Sequence, residues 1–184
     1  MTSRLLRLSV LAAVAAAITV ATPPAIAATA SELDRDARAA LGRLVATQPA
    51  AKLLSQKAKA VLVFPKMVKA GFMFGGQIGE GVLYKRGKLV GYYSSIAASY
   101  GLQAGIQSFG YTLFFMSDDA LTRLDASEGF EVGVGPSVVV VDQGVARSLT
   151  TTTLASDVYA FIFGQHGLMA GMGIQGSKIT RIPK

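Results

Sequence analysis

Residues 58–95 read AKAVLVFPKMVKAGFMFGGQIGEGVLYKRGKLVGYYSS. VLVF is a short β run, and the glycine-rich stretch from Phe72 to Ser95 has β texture. Arg86-Gly87 stands between VLY and LVGYY, a spacing that predicts a hairpin. Glycine inside a strand weakens it unless it makes a bend, a bulge or a close backbone contact. So many glycines predict a strongly curved sheet or a partly closed barrel. The FPK segment, Phe64–Lys66, reads as a loop between strands.

Before this stretch the texture is helical. Leu33, Ala37, Ala40, Leu41 and Leu44 fall on one side at helical spacing. Ser31 is the expected cap, with Asp34 three residues on. A second helix is expected from near Thr47, with Pro49 in its first turn and Leu53 and Leu54 as anchors.

After it, SYGLQAGIQSFGYTLFFM predicts one or two further strands. Ser117, Asp118 and Asp119 open a short helix carrying Leu121 and Leu124, with Gly129 past its end. FEVGVGPSVVVV gives two strand pieces, Asp142-Gln143-Gly144 a turn, and LMAGMGIQGSKITRI a terminal strand or hairpin. The fold class is therefore α+β: N-terminal helices packed on a strongly curved, mostly antiparallel glycine-rich sheet or partly closed barrel. No strand–long helix repeat is present, which disfavours a doubly wound nucleotide-binding fold.

The first 27 residues read differently. Arg4 and Arg7 precede an apolar run, Leu8–Ala21, and then TPPAIA. That is the pattern of a secretory signal peptide, with cleavage expected after Ala27 and Ala30 as the alternative. The run has 14 uncharged residues, short of the roughly 20 that span a bilayer. Residues 28–184 are then read as a single domain with a helical N-terminal part. There is no cysteine, hence no disulfide and no acylation site. The net charge of +7 falls to about +5 without Arg4 and Arg7 (7 − 2). An exported basic domain points to acidic lipid or another polyanion, not to nucleic acid.

Catalytic signatures are lacking. His166 is the single histidine; it lies in Gly-Gln-His-Gly, read as a turn, with no nucleophile elbow nearby. Asp118, Asp119, Asp125, Glu128 and Glu131 cluster in sequence, but a helix cap and solvation account for them better than acid–base chemistry. A zinc site would need oxygen ligands almost alone. The glycines match neither a phosphate loop nor a dinucleotide fingerprint. No catalytic residue, metal or cofactor is expected, so the chain reads as a non-enzyme.

Charge placement is the informative feature. Lys52, Lys57, Lys59, Lys66, Lys69, Lys85, Arg86 and Lys88 are opposed within that span by Glu80 alone. Gathered on one face, they form a lipid-binding patch, each cation near anionic lipid contributing about 1 kcal/mol. Phe64, Met67 and Phe72 could lie beside that patch or in the core.

The blocks AKAVLVFPKMVKAGFMFGGQIGEGVL, YYSSIAASYGLQAGIQSFGYTLFFMS, GFEVGVGPSVVVVDQG and GLMAGMGIQGSKITRI resemble the SYLF, or Ysc84-type, domain family over roughly residues 48–183. The resemblance implies binding of acidic phospholipids, with actin binding in some members. It places Lys52, Lys57 and Lys59 in a basic helical region, and Lys66 and Lys69 in the FPK…KAG block. Phe130 stands where many relatives carry tryptophan, and Gly164 where many bacterial ones carry an acid. The export signal argues against actin as the native partner. The expectation is an exported, periplasmic or else extracellular, domain that binds anionic phospholipid at a bacterial envelope surface. The alternative is a structural module of the envelope that binds a protein or acidic polysaccharide. The 31–45 helix has two competing roles, packing on the sheet or inserting into lipid.

Overall fold

A computed structural model describes residues 28–126, 130–132, 138–141, 156–170 and 177–184. The expected signal peptide, Glu128, Gly129 and the turn at Asp142–Gly144 lie outside these residues, as do the side chains of Phe72, Phe130 and Glu131.

The chain opens with α1 (Ala30–Thr47). Its cap is Thr29, not Ser31: the Thr29 hydroxyl accepts from the Glu32 amide while the Glu32 carboxylate accepts from the Thr29 amide. The true box is thus Thr29-x-x-Glu32, which satisfies two orphan donors reciprocally. Leu33, Ala37, Ala40 and Leu44 are buried as one stripe, with Leu41 half-buried beside them. Gln48 takes an extended conformation, and Pro49 starts α2 (Pro49–Lys57). Proline fits there because a first-turn amide has no partner to lose.

The sheet is built on a hairpin of β1 (Ala60–Lys85) and β2 (Lys88–Phe115). Their register runs from Ala60 opposite Phe115 to Lys85 opposite Lys88. Arg86 and Gly87 turn it with φ of 51° and 76°. Two consecutive positive φ values define the type I′ turn that matches strand twist. The FPK segment is not a loop. It is a bulge inside β1, where the register shifts between Phe64 and Met67. Likewise, the stretch before α3 is a single strand.

A straight strand of this length would reach roughly 85 Å, so β1 must curl. Gly79 and Gly81 show where. A Cβ on Gly81 would lie 2.6 Å from the Phe64 ring and 2.8 Å from the Val63 carbonyl. One on Gly79 would lie 2.9 Å from the Lys66 carbonyl. Two parts of one strand therefore pack directly against each other, and glycine is what lets them approach.

The remaining elements hang on β2. After it comes α3 (Asp118–Asp125), then β3 (Phe130–Val132), β4 (Val138–Val140), β5 (Val158–Ala170) and β6 (Ser177–Ile182). The described sheet has six strands in the order β3-β6-β2-β5-β4, with β1 also paired to β2. Every pairing is antiparallel except β4 with β5. The result is an α+β fold on a curled sheet that does not close. His166 lies in β5, not in a free turn: Gly164 and Gly167, with φ of 57° and 98°, flank it where the β2–β5 register slips.

Alternation along the strands makes two cores. One face buries Leu62, Phe64, Met67, Tyr93, Leu113 and Phe115, joined by Leu121 and Leu124 of α3. Ser117 caps α3 as its sequence indicates, accepting from the Ala120 amide at 3.2 Å. The other face buries Val61, Val63, Val82, Tyr84 and Phe114 under α1 and α2. This settles the two roles open to the first helix. Its apolar stripe is committed to the sheet.

Candidate functional site

Phe64 and Met67 are fully buried and belong to the core, not to a surface patch. The cations divide. Lys52 and Lys57 are exposed on α2. Lys59 is exposed but lies 3.6 Å from Asp118. Lys66 is exposed at the β1 bulge, and Lys69 is half-buried opposite Gln107. Lys85, Arg86 and Lys88 are exposed around the hairpin turn. The Lys66 carbonyl faces Gly79, which lies roughly 20 Å along the strand from the turn. The eight cations thus stand on three parts of the fold: α2 and the residues after it, the bulged part of β1, and the hairpin turn.

What the fold does bring together is α1, the end of α2 and the hairpin turn. A cleft between them is lined by Arg38, Leu41, Ser55, Ala58, Tyr84, Arg86 and their neighbours. Lys57, the last residue of α2, precedes Ala58, and Lys85 and Lys88 flank the turn. Glu80, the acid inside the basic span, is taken up elsewhere. Its carboxylate accepts from Lys184 Nζ at 2.7 Å, and the Lys184 side chain is only 10% exposed. The same ammonium donates to the Ala28 carbonyl.

Arg38 is the residue that the sequence alone did not single out. Its Nε donates to the Asp34 carboxylate at 3.1 Å, and its guanidinium lies 4.8 Å from the Tyr84 ring centre. The Tyr84 hydroxyl donates to Asp34 Oδ1 at 2.7 Å. The i, i+4 spacing of Asp34 and Arg38 was a visible signal; Tyr84, fifty positions away, gave none. The Tyr84 hydrogen bond and, less strongly, Arg38 hold the Asp34 carboxyl below its ordinary range, against a smaller opposing effect of burial. Burial and then the Asp34 contact push the Tyr84 phenol well up.

A lowered folded-state value means that Asp34 stabilises the fold above the unfolded carboxylate range of about pH 4. That contribution is lost as pH falls through the folded value. Tyr84→Phe keeps the ring and removes the hydrogen bond. It is expected to cost about 1 kcal/mol near neutrality. Urea denaturation should show the gap between Tyr84→Phe and wild type narrowing at about pH 3; a gap independent of pH contradicts this coupling.

Residues 96–183, just under half of the chain, match the family model described as Ysc84, Las17-binding protein actin regulator, so this segment is similar to the Ysc84 (SYLF) domain. No curated protein matches the chain at a significant level. The match takes in most of β2 and all that follows. Both N-terminal helices, β1 and the cleft precede it, so any role for the cleft rests on its own geometry.

Proposed function

We propose that this protein is an exported domain that binds anionic phospholipid at a bacterial envelope surface. The observation that carries the reading is a cleft lined by Arg38 and Arg86, with the exposed Lys57, Lys85 and Lys88 next in sequence to its lining or to the turn that forms its wall. Of these, Lys57, Lys85, Arg86 and Lys88 have no ion-pair partner among the described residues. Four free cations at about 1 kcal/mol each near anionic lipid supply a useful attraction before ordering costs. No helix among the described residues is long and apolar enough to cross a membrane. With the α1 stripe buried under β1, the attraction is peripheral and electrostatic, not insertional.

Vesicle sedimentation tests the proposal. Binding to phosphatidylglycerol vesicles should exceed binding to phosphatidylcholine vesicles. It should weaken as salt rises from about 0.1 M to about 1 M, where the screening length falls from about 10 Å to about 3 Å. Equal binding to both vesicle types, or none to either, refutes it. The exposed Ile78 and Ile96 face each other on β1 and β2. They support the second reading, an envelope protein-interaction module, which is indifferent to lipid charge.

A further inference from the structure

We propose that the cleft between α1, the end of α2 and the hairpin turn binds a phosphate monoester group, gripped between the guanidinium groups of Arg38 and Arg86. This deepens the anionic-lipid reading and rests on it only for the source of the phosphate. The cleft encloses about 180 Å³.

Arg86 occupies a backbone conformation, φ 51°, that side chains other than Asn, Asp and Gly adopt with difficulty. Asparagine would make a better turn. Backbone strain of this kind points to function when a site stands beside it. Here the arginine lines the cleft, with no acid paired to it among the described residues.

Arg38, on α1, lines the same cleft and is held in place. Its contact with Asp34 uses Nε, and the Tyr84 ring supports its flat face. A planar fork fixed in this way suits bidentate contact with phosphate oxygens. The Ser55 hydroxyl already donates to the Lys52 carbonyl at 2.8 Å, which leaves the two guanidinium groups as the donors.

Charge selects the monoester. Such a group carries about −1.5 to −2 near neutrality, against −1 for a diester. Asp34 cancels part of Arg38, and Lys85 and Lys88 beside Arg86 restore the balance. Lys57, in the last turn of α2, offsets the negative end of that helix. The phosphate could belong to a lipid headgroup or to a soluble molecule, and the experiment separates the two.

Inorganic phosphate is titrated into the full chain while the arginine Nε–H signals are followed by NMR. Saturable shifts are expected at Arg38 and Arg86. Arg86→Asn should weaken binding at least tenfold while the melting temperature stays level or rises, since asparagine relieves the turn. Lys178→Gln, which removes an exposed cation from β6, should bind as wild type. Vesicles containing phosphatidic acid are then compared with equal fractions of phosphatidylglycerol. A preference for phosphatidic acid that disappears in Arg86→Asn supports a headgroup; saturable phosphate binding without that preference supports a soluble phosphate. Absence of saturable shifts, or full phosphate affinity in Arg86→Asn, overturns the cleft assignment. If salt-sensitive binding to phosphatidylglycerol survives in that case, the broader membrane reading stands without it.

Discussion

Gly81→Val is expected to destabilise the domain by about 3 kcal/mol or more, the upper end of the usual range for overpacking. That is a large share of the 5–15 kcal/mol by which a folded domain exceeds its unfolded state. The new Cβ would fall 2.6 Å from Phe64 Cδ1 and 2.8 Å from the Val63 carbonyl oxygen. Neither neighbour can give way cheaply. Phe64 is fully buried and stacks on Tyr111 at 6.0 Å, and the carbonyl belongs to the backbone of the same strand. Valine adds two further carbons to the clash. Gly76→Val is the control. Gly76 is exposed, and a Cβ there meets only the Ala97 carbonyl, at 3.9 Å. β-Branched residues suit strands, so this change should be neutral or slightly stabilising. Urea midpoints for the two variants measure the difference. Equal midpoints would mean that β1 does not fold back on itself.

That same glycine marks how far the sequence could be read. Its presence inside a β run called for a close approach or a bend, and the curl of β1 supplies both. The stripe from Leu33 to Leu44 announced a buried helix face because a 3.6-residue period has few other meanings. The Arg86-Gly87 turn and the Ser117 cap were equally local, and equally legible. Pro65 misled because proline usually ends a strand. Among the described residues β1 pairs with β2 alone, and at a bulge on such an edge strand proline sacrifices no hydrogen bond.

The candidate site was legible only in part, for a different physical reason. Charges advertise themselves in sequence, but their partners do not. Lys59 meets Asp118, and Glu80 meets Lys184. Each pairing spans a long stretch of chain, which no local pattern encodes. The curl brings Gly79 beside Lys66, a contact between residues thirteen apart that no local pattern announces. Arg38 joins the cleft because β1 carries Tyr84 back under α1. The basic span was therefore visible as a composition, while its division between the bulge in β1 and the turn beside the cleft needed the fold.

That division sets the last expected result. The triple variant Lys57→Glu, Lys85→Glu, Lys88→Glu should lose at least 100-fold in affinity for phosphatidylglycerol vesicles. Three cations at about 1 kcal/mol each near anionic lipid account for about 3 kcal/mol, and 1.4 kcal/mol corresponds to tenfold. The three new carboxylates add repulsion on top. All three side chains are exposed and have no ion-pair partner among the described residues, so folding stability should move by no more than about 0.5 kcal/mol. Circular dichroism and a urea midpoint check that condition. Lys66→Glu with Lys69→Gln alters the same region of sequence but a different region of the surface. Its effect on vesicle affinity should be less than about tenfold, because screening beyond roughly 10 Å separates it from lipid held at the cleft. If this pair weakens binding as much as the triple change does, the membrane meets the bulge and not the hairpin turn. A single cationic face centred on Arg86 is then the wrong description of how this fold approaches a bilayer.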